Sequence, residues 1–376
     1  MARCLELALN GRFGAAPNPM VGALVCDARG RQVGEGFHRE AGGPHAEVEA
    51  LASARSAGAE VAGGSVFVSL EPCCFHGKTP PCTAALLNAG IERVVAIHRD
   101  PNPRVAGGGF RQLQEAGVEV AWLAADDPLV SRALQANWRF LVQQIAQRPA
   151  VTLKWAMSLD GRIATSTGES QWISSPEGRS WALELRDEHD AILVGSGTAL
   201  ADDPRLTRRS GRRKGAILRI VLDRRLRLRP TARMLTEKGP VLVYTGPGTP
   251  GDSTRDARTA TLRAAGAEVI QLEDPSPATV LRHLHGRGIQ SLLIEGGAEV
   301  LGAFATNHAF DRVAVCCAAR LIGGAQAPGP LGGRGFEILE QTPRLTPFSS
   351  EIRGPDMVLT SFRDRCLRDL YESVGG

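Results

Sequence analysis

His45 and Glu47, in the run Pro44-His45-Ala46-Glu47, are residues that can hold and use a metal ion together with Cys73 and Cys82. The two cysteines bound the run Cys73-Cys74-Phe75-His76-Gly77-Lys78-Thr79-Pro80-Pro81-Cys82. One imidazole and two thiolates fill three positions of a tetrahedral zinc site and leave a fourth for water. Zinc so held lowers the pKa of water to about 7, and Glu47 is placed to move the protons. A structural zinc site would use four protein ligands, often as two Cys-x-x-Cys pairs, and the chain has no such pair. Cys74 as a fourth ligand would close the site to chemistry, but neighbouring thiolates rarely reach one metal. His45 and Glu47 alone would be read as helix-capping residues; the combination with Pro72-Cys73 and Cys82 points to a zinc hydrolase that attacks an amine-bearing ring carbon and releases ammonia.

A second group lies further along. Lys154 and the polar stretch Gly168-Glu169-Ser170-Gln171-Trp172 are followed by Gly195-Ser196-Gly197-Thr198, Asp202 and Glu295-Gly296-Gly297-Ala298. Leu200 stands where a dinucleotide fingerprint needs its third glycine, so Gly195-Ser196-Gly197 is a weak signal. Glycines opening a helix after Glu295 would let backbone N–H groups approach a phosphate, or serve turn geometry alone. Arg205, Arg208, Arg209, Arg212, Arg213 and Lys214 crowd one segment. They read as a solvated basic surface or as bidentate donors to a phosphate. Nucleic acid is a poor fit, because no aromatic residues interleave with the charges.

The elements must bring these residues together. In the first half, apolar runs and turn residues predict helices near 1–12, 45–57, 82–89 and 109–116, and a long one at 126–147. Strands are predicted at 20–26, 31–36, 65–70, 94–97 and 118–123. This alternation predicts a three-layer α/β/α sandwich in which His45, Glu47 and Cys82 sit in the first turns of helices at one end of the sheet. Arg148-Pro149 stops the long helix, which places a boundary between domains at 1–147 and 148–376. In the second domain, strands at 150–156, 191–194, 218–222, 241–244, 268–272 and 291–295 alternate with helices near 176–188, 254–265 and 278–287. They predict a second α/β domain on a mostly parallel sheet. The stretches 311–322 and 356–362 read as added antiparallel strands, and 249–258 begins as a polar loop.

The totals exclude other classes. At 376 residues the chain is too long for one ordinary core. No apolar run approaches the ~20 residues of a membrane span, and the early acid Glu6 argues against a signal peptide. Eight cysteines, three of them at 73, 74 and 82, favour metal chemistry in a reducing compartment over a disulfide framework. A cytoplasmic protein with no membrane and no nucleic-acid partner is expected.

Pro17-Asn18-Pro19, Pro44-His45-Ala46-Glu47, Glu71-Pro72-Cys73 through Pro80-Pro81-Cys82, and Asp100-Pro101-Asn102-Pro103 together resemble the RibD family of bifunctional riboflavin biosynthesis proteins. The second group of segments resembles the same family's reductase half. The resemblance implies a cytidine-deaminase-like first domain and a dihydrofolate-reductase-like second one, with one Zn2+ per chain and NADPH as cofactors. It implies a small phosphorylated pyrimidine as substrate and a homo-oligomer. His45, Cys73 and Cys82 would be the metal ligands and Glu47 the catalytic residue. Asn18, Lys78, Thr79, Asp100 and Asn102 would hold the pyrimidine and its ribose phosphate. Ala156, Trp172, Thr198, Asp202 and the segment Gly297, Ala298, Glu299, Val300, Leu301, Gly302 and Ala303 would line NADPH. Lys154, Ser170, Arg186, Leu206, Arg209 and Glu295 would meet the reductase substrate, with Arg186 and Arg209 as phosphate forks and Glu295 facing a cationic iminium. Three positions depart from the family: Cys74-Phe75 stands where it usually has Ser-His, and Arg224 where it often has a small polar residue. Arg224 could face the 2′-phosphate of NADPH or point to solvent.

Overall fold

A computed structural model describes residues 1–248 and 251–375. It forms two units, Met1–Gln147 with Leu367–Gly376, and Arg148–Cys366. In the first unit the order is α1 (Ala2–Leu9), β1 (Gly22–Cys26), β2 (Gln32–Phe37), α2 (Ala46–Ser56), β3 (Ser65–Val68), α3 (Cys82–Asn88), β4 (Arg93–Ala96), α4 (Gly108–Glu115), β5 (Glu119–Trp122) and α5 (Pro128–Ala146). The sheet runs β2-β1-β3-β4-β5, with β1 antiparallel to both neighbours and β3, β4 and β5 parallel.

A period of two along the strands creates the layers. Ala23, Val25, Val66 and Val68 pack with Ala50, Leu51, Leu86 and Phe110 of α2, α3 and α4. Leu24 and Phe67 turn to the other face, where they meet Cys4 and Leu7 of α1. Gly36 lets β2 lie directly under α2, since a Cβ there would collide with the backbone of Ala50 and Ala46. The expected α/β/α sandwich is therefore present.

The second unit follows as β6 (Ala150–Ser158), α6 (Pro176–Glu188), β7 (Ala191–Gly195), α7 (Ser196–Asp202), β8 (Leu218–Leu222), α8 (Arg233–Thr236), β9 (Val241–Thr245), α9 (Ser253–Ala264), β10 (Ala267–Gln271), α10 (Pro277–Gly286), β11 (Ser291–Ile294), α11 (Ala298–Thr306), β12 (Arg312–Ala318), β13 (Ser349–Arg353) and β14 (Asp356–Phe362). A last helix, α12, covers Asp364–Gly375. The nine strands lie in the order β10-β9-β8-β7-β11-β6-β12-β14-β13. One face packs Ile192, Val194 and Leu293 against Trp181, Leu185 and Leu262. The other packs Leu193, Leu292 and Ile294 against Val280, Leu284 and Phe304.

Three expectations change. The stretch from Asp311 contains β12, which is parallel to β6, because α11 carries the chain across the sheet before it pairs; only β13 and β14 are antiparallel additions. The second domain, expected to run to 376, gives up Leu367–Gly376 to the first unit, where Leu367, Leu370 and Val374 of α12 are buried at helical spacing. The polar loop at 249–258 begins outside the described residues and is already helical from Ser253. In the second sheet β11 separates β6 from β7, so consecutive strands part around it. Ligands of open α/β sheets bind at the C-terminal ends of strands at such a point. Glu295 and Ser196 follow those ends directly.

Candidate active sites

Two helix starts and one loop assemble the metal donors. His45 is the N-cap of α2, Glu47 lies in that helix's first turn, and Cys82 opens α3. Cys73 follows β3 in a loop whose sulfur accepts the Cys82 N–H at 3.4 Å. His45 Nδ1 stands 3.2 Å from Cys82 Sγ and 3.4 Å from Cys73 Sγ, and the three donor atoms lie within 4.8 Å of one another. Two sulfurs and one nitrogen at this spacing suit zinc. The Cys82 thiol and His45 hydrogen-bond to Cys73 and hold it well below the ordinary thiol range, while the same interaction and burial raise Cys82.

Glu47 is almost wholly buried, and burial followed by the nearby Cys73 charge lifts its carboxyl to about 7. Such a group can both take and give a proton near neutrality. The hydroxyl of Thr79, expected to help hold the pyrimidine and its ribose phosphate, lies 3.4 Å from His45 Nε2 and can orient that ring. Asn18 is fixed by a residue that sequence reasoning missed. His38 Nδ1 lies 2.8 Å from Pro44 O, which assigns its proton there and makes Nε2 the acceptor for Asn18 Nδ2 at 3.0 Å. The Asn18 Oδ1 atom remains available to a ring edge.

Glu71 was also missed. Its carboxylate accepts backbone N–H groups of Asp100, Gly107, Gly109 and Phe110, tying the loop after β4 to the metal loop and capping α4 from outside that helix. The only sequence signal was its place beside Pro72-Cys73. Glu71→Ala removes the acceptor for four donors and is expected to cost about 3 kcal/mol or more, read as a lowered urea midpoint.

Asp100, held by that loop, is buried and accepts the Asn102 N–H. Burial raises its carboxyl from 3.8 to about 7, against the pull of that hydrogen bond. A raised carboxyl pKa means that the folded chain binds the extra proton, so stability present below the unfolded pKa is lost as pH rises through the folded one. Asp100→Asn is thus expected to raise Tm at pH 8, by about 1–3 kcal/mol in stability, with the gain fading towards pH 4. A thermal-melt series across that range checks it.

In the second unit Glu295 sits at the end of β11 between two cations. Arg186 Nε and Nη2 donate to its two oxygens at 2.8 Å each, and Lys154 Nζ is 3.9 Å away. Burial would raise the Glu295 carboxyl, but the Arg186 and Lys154 charges outweigh it and bring it to about 2. Arg186 Nη1 also donates to Thr207 O, so the guanidinium is held in place by Glu295 and the backbone while a second N–H on each Nη is left for a ligand. With Lys154 the group carries one net positive charge.

The basic segment after it is largely neutralised. Arg205 meets Glu237 at 3.0 Å, Arg208 meets Asp187 at 3.8 Å, Arg212 meets Glu184 at 3.1 Å and Arg213 meets Asp190 at 2.7 Å. Four of the six cations in that segment are thus paired with carboxylates, and the Arg208 and Arg213 side chains are largely buried. Arg209 is exposed, and the Arg186 and Glu295 charges both act on it.

Gly296 and Gly297 have φ of 131° and 75°, values that favour glycine, and a Cβ on Gly297 would come 3.2 Å from Thr198 Oγ1. The turn leaves a cradle at the start of α11 where backbone N–H groups can meet a diphosphate, which fits NADPH. Side chains of the expected cofactor segment do not all point there. Leu301 is buried in the core, Val300 packs against it, and Gly302 admits the backbone of Gly332. Glu299 accepts the Gly333 N–H. Gly297 and Ala298 therefore offer backbone, and Ala303 lies two turns further along the helix. Leu206 is buried in the core with φ of 52°, so its contact with substrate would be through backbone. Trp172 is 64% exposed with the Arg179 guanidinium 4.6 Å from its ring centre. Ala156 and Ser170 are half-buried, Asp202 is exposed, and Arg224 is exposed beyond β8.

Residues 1–98 match the cytidine and deoxycytidylate deaminase zinc-binding region, and residues 149–359 match the RibD C-terminal domain. The chain is 40% identical to the riboflavin biosynthesis protein RibD of Bacillus amyloliquefaciens over 96% of its length and 95% of that protein. Against the RibD of Escherichia coli (strain K12) the identity is 38%, covering 96% and 97%. A crystal structure of a Thermotoga maritima diaminohydroxyphosphoribosylaminopyrimidine deaminase/5-amino-6-(5-phosphoribosylamino)uracil reductase superposes with a TM-score of 0.81 at 34% identity, covering 96% and 97%. Fold, sites and matches define a two-domain enzyme in which a zinc deaminase region precedes a reductase domain. The chain belongs to the RibD family of riboflavin biosynthesis proteins. The first domain is cytidine-deaminase-like, as expected, and the second is a RibD C-terminal reductase domain of the α/β class. Among the described residues no helix is long and apolar enough to cross a membrane.

Proposed function

We propose that the first unit deaminates 2,5-diamino-6-ribosylamino-4(3H)-pyrimidinone 5′-phosphate and that the second reduces the ribosylamino uracil product to its ribitylamino form with NADPH. The observation that carries this reading is the His45–Cys73–Cys82 cluster beside buried Glu47, in one chain with the Glu295 triad and its glycine turn. Zinc, when bound by His45 Nδ1, Cys73 Sγ and Cys82 Sγ, supplies the Lewis acidity that makes water nucleophilic near neutral pH. Glu47 accepts a proton from the attacking water and passes it to the ring nitrogen, then takes the proton of the newly added hydroxyl and delivers it to the amine, so that ammonia leaves as the carbonyl forms. Asn18 Oδ1 reads a ring edge, and Asp100, Asn102 and Lys78 hold the ribose phosphate.

In the second unit the N–H groups at Gly297 and Ala298, near Thr198, would hold the diphosphate of NADPH, with Ala156, Trp172 and Asp202 lining the cofactor. The cofactor would supply the hydride that reduces C1′ of the opened ribose. Lys154, Ser170, Leu206 and Arg209 meet the substrate, while Arg186 and Glu295 fix Lys154 in place. Eight free thiols support a reducing, cytoplasmic setting. A homo-oligomer is supported by the edge strand β13, which carries exposed Ile352 paired with exposed Met357 of β14. The decisive experiment incubates the zinc-loaded protein with the diamino substrate and follows ammonia and NADPH separately. Ammonia release without NADPH, and NADPH oxidation only after deamination, are the expected results; failure of either removes that half of the reading.

A further inference from the structure

We propose that Arg104, held by Phe75, is a second phosphate-binding cation of the deaminase site and recognises the phosphate monoester of a pentose. The proposal rests on the deaminase reading above and gives a role to Cys74-Phe75, the pair that departs from the family pattern.

The loop after β4 docks on the metal loop through those two residues. Cys74 Sγ lies 3.8 Å from Arg104 O, and a Cβ on Gly108 would stand 3.0 Å from the same sulfur. The Arg104 guanidinium carbon is 3.8 Å from the centre of the Phe75 ring. A Cβ on Gly77 would be 3.5 Å from Phe75 Cε2, so the ring lies between Arg104 and the chain immediately before Lys78. An aromatic face holds a guanidinium by its flat side and leaves the in-plane N–H groups free, the donors that fit a phosphate in pairs. A histidine at 75 could offer one hydrogen bond; Phe75 offers none and instead fixes a charged fork.

The local charges leave that fork open. Glu71 is occupied by four backbone N–H groups, and Asp100 is buried and bonded to the Asn102 N–H. Asn102 Oδ1 accepts the Arg104 N–H, which fixes the backbone from which the guanidinium projects. Arg104 and Lys78 are both exposed. The arginines at 205, 208, 212 and 213, by contrast, each face a carboxylate. The Phe75 ring thus carries the Arg104 guanidinium and lies against the chain that leads to Lys78.

The test uses the zinc-loaded full chain with ribose 5-phosphate as probe. Hydrogen exchange of the peptide covering 100–110 reads occupancy at this site alone, apart from the second unit. Protection that saturates in the parent and needs about 10- to 100-fold more ligand in Arg104→Ala, the size of a charge-assisted hydrogen bond, is the expected result. Arg104→Gln, which keeps a planar stacking group without charge, should behave like Arg104→Ala, and Phe75→Leu should shift less. In the ammonia assay Arg104→Ala should raise KM by the same factor with kcat held, the mark of uniform binding. No protection in the parent, or an unchanged midpoint and KM in Arg104→Ala and Arg104→Gln, would overturn the proposal. A shifted midpoint in a protein that releases no ammonia would uphold Arg104 as a phosphate ligand and remove the deaminase reading instead.

Discussion

Glu47→Gln is expected to slow ammonia release by about 100- to 10,000-fold while zinc content and NADPH oxidation of the deaminated substrate stay as in the parent. Glu47 is the carboxylate placed beside the donor cluster by the first turn of α2, and it is not one of the three donor residues brought within 4.8 Å. An amide of the same size keeps the packing of a side chain that is 3% exposed, and it cannot accept and return a proton. Elemental analysis of the purified variant, with ammonia and NADPH assayed separately, distinguishes proton transfer from a ligand role. Loss of zinc in the variant would place Glu47 among the donors; retained ammonia release would remove it from the proton path.

The metal site was legible because it is local. His45 and Cys82 each stand where a helix begins, and Pro44 and Pro81 announce those starts before any tertiary contact is known. The three-layer arrangement of the first unit followed in the same way from the alternation of its strands and helices. Long-range hydrogen bonds left no such trace. Nothing in the run around Glu71 says that its carboxylate will collect four N–H groups from residues 100 to 110, and nothing near His38 says that it fixes Asn18. The strand β13 was missed because Ser349–Arg353 is exposed along nearly its whole length and so lacks a buried face to pattern. The direction of β12 depends on the crossover through α11, which strand periodicity does not encode.

The second unit shows the same limit at its centre. The resemblance implied a phosphate fork at Arg186 and a counter-charge for an iminium at Glu295, and residue types do not say that the two side chains are bonded twice to each other. Glu295→Gln should therefore act first on the protein's own cations. It leaves Arg186, largely buried, without its counter-ion and frees Lys154 from its only ion pair among the described residues. Removing one partner of a buried pair costs about 3–5 kcal/mol, so a lower denaturation midpoint is expected for the second unit, with NADPH oxidation lost and ammonia release kept. The double variant Arg186→Met with Glu295→Gln removes the orphaned charge as well. It should recover much of the stability, since a buried ion pair replaced as a pair is often close to neutral. It should not recover NADPH oxidation, because Lys154 would still lack the carboxylate that orients it. Recovery of both would show that the pair is structural only; recovery of neither stability nor turnover would mean that the cost lies in packing around the two substituted side chains and not in the stranded charge.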